Sequence, residues 1–481
     1  MNSKKPNIVF IMADDMGYGD PECYNKNSYI PTPNINRLAK EGLKFNQAHS
    51  GCALCTPTRY GLMTGRFQWR TQKGYSLIMP YDPPLIPEER MTIASMLKEN
   101  NYNTACIGKW HLGLNYRERQ KEGYRRHYTL TEEDVDFAKP VEGGPLDLGF
   151  DTFFGTAGCS TSDAPYCYFK DKQSVGIPSI QTPEEMNKEA GVYPGLMVPD
   201  WDQEAVDKTF LQEALSYIEE QSSSQSDNPF FLYYSLSAPH IPWLNPKFIR
   251  GASKEGPRGD MNALVDWCVG QIYQKLEDEN LLENTLLIFT SDNGPQKGEN
   301  GHDATAGLRG LKNSPYEGGH RVPFIAKWPK IIREDATTEQ MISLTDLMTT
   351  FAELCEYKLP NTIAEDSISF LNTLKEDVEN NTRPIIAHTG GHVCEKGHFS
   401  FQFEQWKLVE LQPTDEDSTI SFNQNDNQTI AKGKYELYHM QNDPFEKEDL
   451  ANDHPEQLNK LIKQLNALRD GPGLRFSTST S

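Results

Sequence analysis

Short, almost wholly apolar runs punctuate this chain, and each ends abruptly in a loop of charged, histidine or glycine residues. Asn7-Ile8-Val9-Phe10-Ile11-Met12 stops at Ala13-Asp14-Asp15, with Gly17 and Gly19 following. Thr285-Leu286-Leu287-Ile288-Phe289-Thr290 stops at Ser291-Asp292-Asn293-Gly294. Phe230-Phe231-Leu232-Tyr233-Tyr234-Ser235 leads to Ser237-Ala238-Pro239-His240, and Asn103-Thr104-Ala105-Cys106-Ile107 to Gly108-Lys109-Trp110-His111. Runs of this length, rich in β-branched and aromatic residues, predict strands buried on both faces. Helical signals lie between them: one segment from Thr32-Pro33-Asn34 through Leu43, an amphipathic turn from Thr92 to Leu97, and a longer helix from Gln203 to Glu220. Strands alternating with helices predict an α/β fold with a mostly parallel central sheet flanked by helices. Ligands of such sheets gather outside the carboxyl ends of the strands.

Residues 115 to 200 carry Gly, Pro, Tyr and charged positions with little periodicity, and read as insertions around the site. A helix is expected over Ile342 to Tyr357 and a linker within Glu365 to Thr382. Beyond it the pattern changes. Phe399-Ser400-Phe401-Gln402-Phe403 alternates, Trp406-Lys407-Leu408-Val409 keeps β character, and Tyr435-Glu436-Leu437-Tyr438 adds a further strand. Leu458, Leu461, Ile462, Leu465 and Leu468 then mark one face of a closing helix from His454 to Leu468. The expected organisation is a catalytic domain over 1–375 and a smaller C-terminal α+β subdomain, an antiparallel sheet plus a helix, over 376–481.

Length and composition agree with this plan: 481 residues exceed one ordinary core, and 37% hydrophobic with 24% charged residues is globular usage. No apolar run approaches the roughly 18 residues of a membrane-spanning helix, and Met1 to Pro6 lacks a secretory signal's apolar segment. A net charge of −21 argues against nucleic acid as a partner, while leaving room for a small anion in a pocket lined by local cations. Nine cysteines form neither zinc-ligand pairs nor a dense disulfide framework. Cys52 and Cys55 do make a C-x-x-C, which keeps a redox or metal reading open.

The strand-end loops carry the chemistry. Asp14, Asp15, Asp292 and Asn293 are hard oxygen donors suited to Ca²⁺ or Mg²⁺ and not to zinc. One Asp-Asp pair alone is more often a cap or a solvated turn; two acidic loops at neighbouring strand ends repel unless a cation lies between them. Calcium is the expected ion. Cys55-Thr56-Pro57-Thr58-Arg59 places an arginine one helical turn beyond a cysteine, where its guanidinium can reach those carboxylates. Lys109 and His111 can face one cavity, His240 sits on a proline-stiffened turn, and Lys312 precedes the flexible Glu317-Gly318-Gly319. His302, Asp303, His320, Arg321 and Arg70 are secondary candidates for sugar or counter-ion contacts. His388, His392 and His398 form a cluster without a metal-ligand pattern. Trp110, Trp243 and Trp328 are candidates for stacking on a sugar ring or for core packing.

With its C-x-P-x-R core at Cys55 to Arg59 followed by Thr64-Gly65-Arg66, the chain resembles the formylglycine-dependent type I sulfatases. The resemblance runs from Pro6 to about Pro329 and includes Asp14-Asp15, Thr32-Pro33-Asn34, Gly108-Lys109-Trp110-His111-Leu112-Gly113, Ala238-Pro239-His240, Ser291-Asp292-Asn293-Gly294 and Glu317-Gly318-Gly319. It implies an alkaline-phosphatase-like fold and oxidation of Cys55 to Cα-formylglycine by a formylglycine-generating or anaerobic maturation enzyme. It also implies calcium held by Asp14, Asp15, Asp292, Asn293 and the modified residue 55. By this resemblance, one hydroxyl of the residue-55 diol attacks sulfur, assisted by the metal and Asp292, and gives a sulfate hemiester. Lys109, Lys312 and Arg59 stabilise the sulfuryl charge, His240 with Lys312 serves the leaving oxygen, and His111 takes the second hydroxyl's proton as sulfate is eliminated.

Size and the compact terminal domain resemble bacterial enzymes that desulfate polysaccharides or glycosaminoglycans, so a sulfated carbohydrate is the expected substrate. A periplasmic or secreted location is expected, with the signal peptide absent from this sequence; a cytoplasmic one is the alternative. Two rivals remain: a phosphonate monoester hydrolase or phosphodiesterase of the same superfamily, and a non-catalytic binder of sulfated glycans.

Overall fold

The computed structural model describes residues 5–119, 129–189, 191–376, 379, 383–390, 397–412 and 434–477. Ten strands form the central sheet: β1 Asn7–Ala13, β2 Leu43–Phe45, β3 Asn103–Lys109, β4 Thr152–Thr156, β5 Tyr168–Lys170, β6 Gln173–Val175, β7 Phe230–Ser235, β8 Thr285–Ser291, β9 Phe324–Lys327 and β10 Ala336–Thr338. Their spatial order is β10-β2-β9-β8-β1-β7-β3-β4-β5-β6. The five central strands, β8-β1-β7-β3-β4, are mutually parallel. Antiparallel pairs flank them, at β9 on one side and at β5 and β6 on the other.

Every residue of β1 is buried. Ile8, Phe10 and Met12 enter one apolar layer, and Val9, Ile11 and Ala13 the other. The period-2 geometry of a strand thus supplies both cores from one continuous apolar run. The register aligns the carboxyl ends: Ala13 pairs with Ser291 of β8, and Met12 with Ser235 of β7. The Asp14-Asp15 and Asp292-Asn293 loops therefore leave the sheet side by side. Backbone bonds then lock them, from Asp14 N–H to Ala238 O at 3.0 Å and from Asp292 N–H to Ala13 O at 3.1 Å.

Several elements differ from the expectation. The segment 342–357 is not one helix: Ile342–Ser343 is a short strand, Leu344–Asp346 a 3₁₀ turn, and only Leu347–Leu354 is α-helical. A reciprocal cap between Ser343 and Asp346 starts the helical stretch there. Residues 115–200 are not insertions alone, because β4, β5 and β6 extend the sheet. The expected linker within 365–382 contains the buried Asp366 and the helix Leu371–Glu376. The helix Pro257–Asp278 and the strand Phe324–Lys327 were not foreseen. That helix buries Met261, Leu264, Val265, Cys268, Val269, Ile272 and Leu276, but buried Arg258, Asp260 and Asn262 in its first turns blur the amphipathic pattern.

A second sheet is antiparallel and made of β11 Ile385–His388, β12 Phe399–Phe403, β13 Trp406–Leu411 and β14 Lys434–His439, in that order. The helix Pro455–Asp470 packs on it through Leu461 and Leu465. Arg70 ties this unit to the larger one: its guanidinium donates to Asp366 at 2.8 and 2.9 Å and to the carbonyls of Leu468 and Gly471 at the helix end. Among the described residues, no helix is long and apolar enough to cross a membrane.

Candidate active site

Cys55 is the first residue of the helix Cys55–Thr64, which follows an extended Leu54. Its side chain therefore lies among the free N–H groups of a helix start, favourable ground for negative charge. Arg59, one turn on, is fully buried. Its guanidinium donates to Asp292 Oδ2 at 2.7 and 3.1 Å, to Ser235 Oγ at 2.5 Å and to the carbonyl of Lys109 at 3.2 Å. A single planar fork thus joins the ends of β3, β7 and β8 beneath Cys55.

The other cations are paired as well. Lys109 Nζ donates to Asp14 Oδ2 at 2.5 Å, and Lys312 Nζ meets the Asp15 carboxylate at 2.6 Å. Asn293 Nδ2 donates to Asp15 Oδ1 at 2.7 Å. His240 Nε2 lies 3.9 Å from Asp15 Oδ2. His111, in the left-handed region at φ 55°, places Nε2 3.0 Å from the carbonyl of Ile78. The loop of Lys312 reaches the site because Gly294 and Gly319 touch backbone to backbone. Gly294 N–H donates to Gly319 O at 2.9 Å, and a Cβ on Gly294 would lie 2.0 Å from Gly318 O. No other residue fits there.

Burial and charge set the protonation states. Burial alone would raise Asp14, but Lys109, His240 and Arg59 overcome it and hold the carboxyl at about 2. Asp292 goes well up from the usual carboxylate range, first by burial and then by the negative charge of Asp14, against Arg59. Two carboxylates this close, one of them forced upward, are a pair in need of a further positive charge. Burial and then the charge of Lys312 lower His240 below the ordinary imidazole value. The hydrogen bond from Cys159 lowers the Cys55 thiol far below its usual value despite burial, with help from Lys109, His111 and Lys312.

The donor set fits a hard divalent cation. Asp14 Oδ1 and Asn293 Oδ1 are buried without a hydrogen-bond partner, a costly state for a polar atom unless an ion completes it. Ligand atoms of Asp14, Cys55 and Asp292 also lie within 4.8 Å of one another. Cys55 Sγ marks the place where oxygens of a modified residue 55 would sit.

Among the secondary candidates, His302 binds Asp20 at 2.9 Å in a buried cluster with Arg258 and Glu255, beside the Asp15 loop. The Asp303 carboxylate accepts from Thr305. His320 and Arg321 belong to a network in which Glu317 takes Arg321 and Lys407, the latter at 2.7 Å from β13. His388 Nδ1 donates to the carbonyl of Thr389 at 2.8 Å, while His398 Nδ1 accepts from Gln412 N–H at 2.9 Å. His392 lies outside the described residues. Trp110 and Trp328 are core residues, closed to a sugar, and Trp243 is half-buried with its indole N–H on Pro239 O. All eight described cysteines are free. Sequence reasoning missed Cys159 and Ser235 as members of the site; Ser235 had only its strand-end position to mark it, and Cys159 only a Gly158-Cys159 turn beyond β4.

His320 makes a testable contribution to acid sensitivity. Burial and then Lys407 lower it to about 3. An unfolded chain takes up that proton near pH 6.5, whereas the folded one does not, so stability falls as pH drops from about 6.5 toward 4. The slope from one such histidine is at most about 1.4 kcal/mol per pH unit. His320→Gln is expected to flatten the fall of urea-unfolding free energy across that window. An unchanged slope would refute the buried neutral state.

A cysteine at a helix start, framed by acidic loops at the carboxyl ends of a mostly parallel sheet, defines a hydrolase of the alkaline-phosphatase-like class. Within it, the chain belongs to the sulfatase family. The family model described as Sulfatase matches residues 6–357, and one described as N-sulphoglucosamine sulphohydrolase, C-terminal, matches residues 312–470. The chain is 31% identical to an N-acetylgalactosamine-6-O-sulfatase of Bacteroides thetaiotaomicron, over 97% of this chain and 94% of that one. It is 30% identical to human N-acetylgalactosamine-6-sulfatase, over 84% and 73% respectively. A structure solved in connection with the metabolism of multiple glycosaminoglycans by Bacteroides thetaiotaomicron superposes with a TM-score of 0.83 at 29% identity, covering 98% of this chain and 100% of that one. The chain is an enzyme of sulfate ester hydrolysis, and its family generally uses formylglycine and a divalent metal.

Proposed function

We propose that this chain removes sulfate from a sulfated carbohydrate at the Cys55 centre, with 6-O-sulfated N-acetylgalactosamine units of a glycosaminoglycan as the first candidate substrate. The observation that carries the reading is the set of three cations, the buried Arg59 and Lys109 and the part-buried Lys312, around the first residue of one helix. The two relatives, which match 97% and 84% of this chain, act on that ester by name.

Each side chain has a task that its geometry supports. The ammonium groups of Lys109 and Lys312 carry three donors each and spend one on a carboxylate, which leaves donors for sulfuryl oxygens. Arg59 fixes Asp292 beneath the reacting residue and adds positive potential there. His111 Nε2 faces the Ile78 carbonyl and so carries the proton, leaving Nδ1 basic and directed at the residue-55 side of the cavity. His240 Nδ1 meets Ile241 O at 2.6 Å, which likewise turns a free Nε2 inward. With His240 pushed down by burial and Lys312, whose own ammonium is strengthened by Asp15 against burial, Lys312 is the stronger candidate to hold the departing alcohol oxygen. Asp14, Asp15, Asp292 and Asn293 would hold the metal, with calcium favoured by an all-oxygen set. The modified residue 55 would supply an oxygen nucleophile and the metal would lower the cost of its negative charge.

A panel of defined sulfated oligosaccharides, with an aryl sulfate and a phosphodiester alongside, tests the reading. The expected result is release of sulfate from a 6-O-sulfated N-acetylgalactosamine unit with the highest kcat/KM of the set. Faster turnover of the phosphodiester would identify the superfamily's other chemistry, and binding of glycans without release by protein carrying formylglycine would identify a non-catalytic binder.

A further inference from the structure

Cys159 has no task in sulfate transfer, yet its thiol is where the floor of the site converges. Its backbone N–H is held by the Asp163 carboxylate at 2.8 Å, and it is 6% exposed. Its Sγ lies 3.7 Å from His111 Nδ1 and 3.9 Å from His240 Nε2. Ligand atoms of Cys55, His111 and Cys159 all fall within 4.8 Å of one another.

Both imidazoles are already set as ligands. In each, the nitrogen turned away from Cys159 faces a backbone carbonyl, Ile78 O for His111 and Ile241 O for His240. The far nitrogen must then carry the proton, and the near one presents a lone pair to the thiol. An outward N–H held by a carbonyl is the usual support of a metal-bound histidine.

We propose that, while residue 55 is still a cysteine, Cys55, Cys159 and His111, with His240 as fourth ligand, bind a thiophilic divalent cation of the zinc class. Tetrahedral zinc with bonds of about 2.3 Å to sulfur and about 2.0 Å to nitrogen has a sulfur-to-nitrogen edge of about 3.6 Å. The edges of 3.7 and 3.9 Å need only a slight contraction. Binding forms two metal–thiolate bonds, and each S–H still present gives its proton to solvent. Sulfur and imidazole select this ion, whereas the neighbouring carboxylates and Asn293 select calcium. Conversion of Cys55 removes one thiolate, so the zinc site is a property of the unmodified chain and covers the residue that the modification would activate.

The test reads metal binding and not turnover, so it stands apart from the sulfatase reading. Protein whose residue-55 peptide has the mass of cysteine is saturated with calcium, then titrated with Co²⁺ while thiolate-to-cobalt charge-transfer absorption is recorded. Zinc affinity follows from displacement of the cobalt. One equivalent should bind with a charge-transfer band. Cys159→Ser should lose most of the band and bind zinc at least about tenfold more weakly, a loss seen even for outer partners of metal ligands. Cys55→Ala, a second variant in case the first does not fold, should lose about half of the band. The absence of a band, or an undiminished band in Cys159→Ser, would overturn the proposal. The second result would move the ion to another thiol, such as Cys52 beside His388.

Discussion

Cys55→Ala is expected to abolish sulfate release while leaving the fold in place. Loss of a covalent nucleophile in an enzyme whose other groups act with it lowers kcat by at least about 10⁴-fold. The fold should tolerate the change because Cys55 is the first residue of its helix and the thiol fills no apolar core. The helix is held from Arg59 onward by side-chain bonds and by Tyr60, Leu62 and Met63 in the core. Sulfate release by the alanine variant at an appreciable fraction of the parent rate, with an unchanged thermal midpoint, would mean that another residue attacks sulfur.

Arg59→Met is expected to cost both stability and activity. Arg59 and Asp292 are each fully buried and joined at 2.7 Å, with Asp14 at 3.9 Å from the same guanidinium. Removing one partner of a buried pair leaves the other charge without compensation and typically costs about 3–5 kcal/mol. That is a large part of the roughly 5–15 kcal/mol that holds a domain together. Asp292 would respond by taking up a proton, since burial and Asp14 already drive its pKa upward, and a protonated Asp292 is a poor metal ligand. Urea unfolding should show the midpoint drop, and added calcium should restore less of it than in the parent. A midpoint within error of the parent would show that the fork is not what holds the loops together.

The parts of this molecule most legible in the sequence are those where one local pattern fixes structure. The apolar runs of β1, β7 and β8 are buried on both faces and end at charged loops, so their strand character and their burial follow from a single reading. Asp14, Asp15, Asp292, Asn293, Lys109, His111 and His240 converge because those ends are in register, and Arg59 joins them from its helix and Lys312 through the Gly294–Gly319 contact. Less legible are elements whose pattern depends on distant partners. The first turns of the helix Pro257–Asp278 bury Arg258 only because Asp20 and Glu255 neutralise it. His320 and Arg321 look like site residues in sequence, yet Glu317, held by Lys407 from the second sheet, draws them into an interface network. Cys159 carries little local signal beyond the Gly158-Cys159 turn, since its meaning comes from three side chains at sequence distances of 48, 81 and more than a hundred residues.

Residue 55, once modified, is proposed as the nucleophile of this sulfatase. Its most direct test pairs the intact mass of the residue-55 peptide with sulfate release from a 6-O-sulfated N-acetylgalactosamine oligosaccharide, in preparations converted to different extents. The account predicts release in proportion to the formylglycine fraction, extrapolating to zero for the cysteine form. Equal release from fully converted and wholly unconverted protein would contradict it.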